Sequence, residues 1–124
     1  MARILLIDDD ELGAKTTARV LEQYGQHQVI IASDGPTGLV TASKENPDLI
    51  LLDILMPGMD GYAVLEELKS NEASLNIPVI IISAVTDEES IKEATFKYDT
   101  LYMTKPIEPE PLMKTIDHAL STRE

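Results

Sequence analysis

Leu49-Ile50-Leu51-Leu52-Asp53 decides the fold: four large aliphatic residues in an unbroken row, stopped by a carboxylate. A strand with one wet face alternates apolar and polar positions. A short apolar run without alternation suits a strand covered on both faces, the usual state of parallel sheets. Working outward from this run, the same pattern recurs. Ile4 to Ile7 stops at Asp8, Val29 to Ala32 forms another run, Val79 to Ile82 stops at Ser83, and Leu101 to Met103 ends just before Lys105.

The segments between the runs are amphipathic. Ala14, Thr17, Ala18 and Leu21 follow helical spacing, as do Gly61, Val64, Leu65 and Leu68, and again Ile91, Ala94, Thr95 and Tyr98. Thr86-Asp87-Glu88-Glu89 reads as a capping box that opens the third of these helices. The last helix carries Leu112, Ile116, Ala119 and Leu120. Its Pro109 and Pro111 fall in the first turn, where no intrahelical N–H bond is lost. Gly35 to Glu45 is the weakest helix, because Gly38, Val40 and Thr41 all lower its propensity.

Strict alternation of strand and helix with short connections predicts an α/β fold, (βα)5, with a parallel sheet between two helical layers. By analogy with other doubly wound sheets this is the flavodoxin-like three-layer sandwich of strand order 2-1-3-4-5. Ligands on such sheets bind at the carboxyl ends of the strands, beside the switch point between strands 1 and 3. The 124 residues fit one domain, expected to span 1–124.

Composition narrows the function classes. The chain has no cysteine, which closes disulfide, zinc-thiolate and thiol-nucleophile chemistry. Its formal charge of -12 and its lack of a basic run argue against direct nucleic-acid binding, which needs clustered Lys and Arg. No apolar stretch approaches the roughly 20 residues that span a bilayer. Met1 to Ile7 lacks a signal-peptide layout, so the expectation is a soluble cytoplasmic protein without membrane contact.

The polar residues at the strand ends converge on one chemistry. Strand 1 delivers Asp8-Asp9-Asp10, strand 3 Asp53, strand 4 Ser83, and strand 5 Lys105. Asp8, Asp9 and Asp53 would crowd three carboxylates, a repulsion that a hard divalent cation such as Mg²⁺ relieves. An oxygen nucleophile, a metal, an ammonium and a hydroxyl together describe phosphoryl transfer, with the carboxylate forming an aspartyl phosphate. Each residue has a duller reading. Asp8 and Asp9 could cap a helix, and Asp10 suits that role better than a ligand's. Ser83 alone is a loop hydroxyl and Lys105 alone a surface charge. Their joint occurrence at successive strand ends favours the site.

The residues also resemble a family. Ile4-Leu5-Leu6-Ile7-Asp8-Asp9-Asp10-Glu11 resembles the N-terminus of response-regulator receiver domains. Asn46 to Gly61, with Asp53-Ile54-Leu55-Met56-Pro57-Gly58-Met59-Asp60 inside it, is similar to their phosphoacceptor block. Pro78 to Ala84 is similar to their switch-hydroxyl strand, and Lys105-Pro106 to their last signature. The resemblance implies that Asp53 accepts the phosphoryl group and that Asp9, Asp53 and the Leu55 carbonyl bind Mg²⁺, with Asp8 acting through a metal-bound water. It implies that Ser83 and Lys105 hold phosphoryl oxygens, that the Lys105-Pro106 bond is cis, and that Tyr102 is the aromatic switch residue. Three places depart from the family pattern: Ile107 replaces the usual Phe, Tyr98-Asp99 replaces Gly-Ala, and Leu55 and Val85 are apolar where many receivers are polar. With neither able to orient a water, the phosphorylated form is expected to be long-lived.

The function so implied is a switch in a two-component phosphorelay, not an enzyme with an external substrate: the domain catalyses only its own phosphorylation and dephosphorylation. Its donor would be a sensor histidine kinase or a histidine phosphotransfer protein. Ser83 would be drawn to the phosphate and Tyr102 would turn inward. The helix 4–strand 5–helix 5 surface would change toward a downstream protein target or a fused output domain, and a dimer would form there. Three rivals remain. A flavodoxin-type carrier would need a phosphate loop after strand 1, where Asp8-Asp9-Asp10 repel phosphate. A phosphatase with an Asp nucleophile would need a second Asp where Leu55 stands. A pseudo-receiver would be a binding module that works without phosphorylation.

Overall fold

The computed structural model describes residues 1–54, 56, 60–84, 88–98 and 100–121, and the side chains of 88, 90 and 91 are not included. Among them β1 (Arg3–Ile7), β2 (Gln28–Ala32), β3 (Leu49–Asp53), β4 (Val79–Ser83) and β5 (Leu101–Thr104) alternate with five helices. These are α1 (Glu11–Gly25), α2 (Gly35–Glu45), α3 (Gly61–Ser70), α4 (Glu88–Tyr98) and α5 (Pro109–Ser121). All neighbouring strands are parallel and the order is β2-β1-β3-β4-β5. This is the parallel sheet expected from the alternation, in the flavodoxin-like order adopted by analogy.

The period-2 pleat sorts the aliphatic runs into two layers. Leu5, Ile7, Ile50, Leu52, Val79 and Ile81 pack under α2, α3 and α4, joined by Ala42, Val64, Leu65, Leu68 and Ala94. Ile4, Leu6, Leu49, Leu51, Ile80 and Ile82 face the other way and pack with Ala14 and Leu21 of α1 and Leu112, Ile116 and Ala119 of α5. Each fully buried Ile or Leu contributes about 1.5–3 kcal/mol relative to exposure.

Burial on both faces holds for β3 and β4, in which every residue is buried, and for nearly all of β1. It fails for β2: Gln28 and Ile31 are exposed and Val29 and Ile30 only partly covered. The strand order explains the difference, since β2 lies at a sheet edge, where the helical layers thin out.

Helix starts follow local capping. Asp10 accepts from the Gly13 N–H at 3.2 Å, Asp34 from Thr37 at 2.7 Å and Asp60 from Ala63 at 2.9 Å. Each satisfies a donor that the first turn leaves unpaired. Asp10 is thus the cap of α1. Thr86 and Asp87 of the expected capping box lie outside the described residues. Low-propensity α2 still forms, and Gly38 has a packing reason: a Cβ there would sit 2.6 Å from Ile7 Cδ1. Pro109 opens α5 as expected. Among the described residues no helix is long and apolar enough to cross a membrane.

Candidate functional site

The register brings the strand ends to one edge. Asp53 pairs with Ile82 and Ser83 with Thr104, so the last residues of β3, β4 and β5 lie side by side. Asp8 follows β1 and donates its N–H to the Ala32 carbonyl at 3.0 Å, which extends the ladder by one step. The Lys105 N–H donates to the Ser83 carbonyl at 2.9 Å and fixes the start of the β5–α5 connection. The Lys105-Pro106 bond is cis.

Alternation then settles which side chains meet. Asp8 continues the row of Ile4 and Leu6, and Asp53 the row of Leu49 and Leu51, so both fall on the α1–α5 side of the sheet. Asp8 and Asp53 are each only 4% exposed, whereas Asp9 is exposed. Carboxylate oxygens of Asp8, Asp9 and Asp53 all lie within 4.8 Å of one another. The Lys105 ammonium bridges the two buried members, donating to Asp8 Oδ2 and Asp53 Oδ2 at 3.4 Å each. These contacts are long for charge-assisted bonds, so the ammonium is shared rather than locked to one partner. Burial on its own would lower the Lys105 pKa. The Asp53 and Asp8 charges together outweigh it and hold the ammonium above its ordinary range.

Asp8 does not cap α1, whose cap is Asp10, but it ties the loop that leads into the helix. Its Oδ1 accepts from the Asp10 N–H at 2.9 Å, and its Oδ2 faces Lys105. The same carboxylate thus ties the loop and enters the cluster. Three hard oxygen donors facing one ammonium, with two of the carboxylates buried, fit a small divalent cation such as Mg²⁺.

Ser83 is buried and continues the row of Val79 and Ile81, on the opposite side of the sheet from Asp8 and Asp53. Tyr102 pairs with Ile81 in register and therefore shares the side of Ser83. Tyr102 is 45% exposed, so its ring is not turned inward here. Ile107 is half-buried against the α1–α5 layer, in place of the larger ring common in receivers. Leu55, Val85, Asp99 and Pro57 to Met59 lie outside the described residues.

The sequence reading missed Gly61. Its N–H donates to the Ile54 carbonyl at 2.9 Å, and a Cβ there would meet Ile54 Cα at 2.3 Å and the Asp53 carbonyl oxygen at 2.8 Å. α3 therefore starts in direct backbone contact with the end of β3. The Asp60-Gly61 pair was the available signal, a cap followed by the one residue without a side chain.

Comparison with known proteins agrees with this geometry. The sequence profile described as "Response regulator receiver domain" matches residues 4–117. Protein PilH of Pseudomonas aeruginosa is 36% identical over 121 residues, covering 98% of this chain and 99% of PilH. Response regulator PleD of Caulobacter vibrioides is 38% identical over 108 residues, which are 86% of this chain but 23% of PleD. Among solved structures, Vibrio cholerae chemotaxis protein CheY4 superposes with a TM-score of 0.87 at 27% identity, over 97% of this chain and 99% of that one.

Proposed function

This chain belongs to the response regulator receiver domain family, and from that premise we propose that it is a phosphorylation-controlled switch whose phosphoacceptor is Asp53. It is not an enzyme that turns over an external substrate. The observation that carries the reading is the convergence of Asp8, Asp9 and Asp53 with the Lys105 ammonium at one sheet edge.

An Asp53 carboxylate oxygen attacks the phosphorus of a phosphohistidine on a sensor kinase or histidine phosphotransfer protein. The O–P bond forms as the N–P bond breaks, and the leaving imidazole takes up a proton from solvent. Asp8, Asp9, Asp53 and the Leu55 carbonyl would hold Mg²⁺, which when bound offsets the charge of the incoming phosphate. Lys105 is already 3.4 Å from Asp53 and carries its charge to a phosphoryl oxygen without crossing the sheet. Ser83 supplies a hydroxyl from the neighbouring strand end. Because Ser83 and Tyr102 share the α4 side, movement of the hydroxyl toward phosphate is transmitted to Tyr102 and so to the surface of α4, β5 and α5. That is a biased two-state equilibrium. Residues 1–124 act as one receiver domain, in the cytoplasm, on a downstream protein or a fused output domain, and not on nucleic acid or membrane.

The test is uptake of label from radioactive acetyl phosphate with and without Mg²⁺. Wild type should gain acid-labile, Mg²⁺-dependent label and Asp53→Asn none, because an amide is no nucleophile. Label retained by Asp53→Asn at the wild-type level refutes the phosphoacceptor assignment. Wild type that takes up no label with Mg²⁺ would instead be a pseudo-receiver.

A further inference from the structure

Carboxylate oxygens of Asp8, Asp9 and Asp53 within 4.8 Å of one another repel, so the cluster needs something to hold it together. The Lys105 ammonium offsets the charge of Asp8 and Asp53. Asp53 is also the last residue of β3, and its backbone is fixed by pairing with Ile82 of β4. Asp8 and Asp9 have no such strand. They lie in the short connection between the end of β1 and the start of α1, and Asp9 is exposed. Their arrangement therefore depends on how that connection is tied to the helix.

Asp10 makes the tie. Its Oδ1 accepts from the Gly13 N–H at 3.2 Å, and its carbonyl accepts from the Ala14 N–H at 2.8 Å. These two bonds lock its extended backbone (φ -80°, ψ 95°) onto the first turn of α1. Its own N–H then donates to Asp8 Oδ1 at 2.9 Å. With Oδ1 engaged there, Asp8 presents Oδ2 to Lys105. On the other side the Asp8 N–H is held by the Ala32 carbonyl at 3.0 Å. The Asp9 backbone is thus clamped from both ends. Gly13 keeps the clamp open. A Cβ there would lie 2.5 Å from Asp10 Oδ2 and 3.0 Å from Asp10 Cγ. The obstacle is the end of a side chain, so the cheapest relief is rotation of the Asp10 carboxylate out of its cap bond.

We propose that Asp10 is a positioning residue of the acidic site: its carboxylate, by capping α1, holds Asp8 and Asp9 in the arrangement that receives Mg²⁺. This rests on the reading of Asp8, Asp9 and Asp53 as the cation site. Asp10 acts through its two neighbours and is not itself a ligand. The cap fixes the Asp10 N–H, that N–H orients the Asp8 carboxylate, and the same clamp keeps Asp9 beside Asp8 against their mutual repulsion. Groups that orient metal ligands in this way typically matter about 10–100-fold in metal affinity. Gly13 serves the same end by leaving the cap carboxylate its place, although Ala would favour the helix more.

The test is calorimetric titration of the full chain with MgCl₂ in about 0.15 M salt, where charges beyond about 8 Å are screened. Asp10→Ala installs a poor cap and should weaken Mg²⁺ binding about tenfold. Asp10→Asn and Asp10→Ser remove the charge but cap well, and should stay within about threefold of wild type. Gly13→Ala leaves every carboxylate in the chain and should still weaken binding. Combined with Asp10→Ala it should cost nothing more, because the two act through one bond. Amide hydrogen exchange supplies a second readout: protection of the residue 10 N–H should be lost in Asp10→Ala and kept in Asp10→Asn. The inference is overturned if Asp10→Ala binds Mg²⁺ as tightly as wild type. It is equally overturned if Asp10→Ala and Asp10→Asn are weakened alike, since charge alone would then be responsible. A wild type that binds no Mg²⁺ overturns the cation site and this inference with it. A wild type that binds Mg²⁺ and takes up label, beside an unaffected Asp10→Ala, overturns this inference alone.

Discussion

Asp9→Asn should stabilise the metal-free protein and remove its response to Mg²⁺. Asp8 and Asp53 share the Lys105 ammonium at 3.4 Å, whereas Asp9, among the described residues, makes no ion pair with it and adds a third negative charge to the cluster. With oxygens up to 4.8 Å apart, Coulomb's law gives about 0.9 kcal/mol of repulsion per pair at the dielectric of water and about 3.5 kcal/mol at an effective value of 20. Asp9 is exposed, so the lower figure applies. Two such pairs, to Asp8 and Asp53, give a gain of about 1–2 kcal/mol. For a chain of this size that is a rise in Tm of roughly 3–8 °C. The amide keeps the shape of the side chain, so packing contributes little. With Mg²⁺ the gap should close. Wild type gains RT ln(1 + [Mg²⁺]/Kd), about 1.4 kcal/mol at ten times Kd, and the variant, short of one anionic ligand, gains much less. Urea unfolding in EDTA and in excess Mg²⁺ measures both. An Asp9→Asn protein less stable than wild type in EDTA would refute the repulsion argument. Equal stabilisation of the two by Mg²⁺ would show that Asp9 is not a ligand.

Two further outcomes follow from local geometry. Gly61→Ala forces a Cβ to within 2.3 Å of Ile54 Cα; because the obstacle is backbone, it should cost about 1–3 kcal/mol and slow phosphate uptake as the end of β3 shifts, and an equally stable, equally fast variant would contradict this. His27 Nδ1 accepts from the Ala2 N–H at 3.0 Å, and burial first, then the positive charge of the N-terminal amine, hold its pKa below the ordinary 6.5 against the pull of Asp117. A depressed histidine stabilises the fold above its unfolded pKa and loses that contribution as pH falls through the folded one. The stability difference between wild type and His27→Gln, followed by urea unfolding from pH 7.5 to 5, should therefore shrink on acidification; a constant difference would rule out the linkage.

Much of this molecule was legible in one dimension because burial in a parallel sheet leaves a one-dimensional trace. Strands such as β3 and β4 cannot tolerate a polar residue on either face, so Leu49 to Leu52 and Val79 to Ile82 are unbroken and the first polar residue marks the edge where ligands bind. That is why Asp53 and Ser83 could be picked out without coordinates, and why the Asp10 cap could be separated from the neighbouring carboxylates. The tertiary structure decided what depends on neighbours distant in sequence. The aliphatic run of β2 resembles the others, yet it is half-exposed because only the strand order makes it an edge. The pleat, once the register was fixed, put Asp8 and Asp53 on one side of the sheet and Ser83 with Tyr102 on the other. The close approach of Gly61 to the Ile54 backbone left only the Asp60-Gly61 pair as a local trace, since it is set by how two separately encoded elements come to rest against each other. Local sequence encodes period and burial; which surfaces then meet is a property of packing.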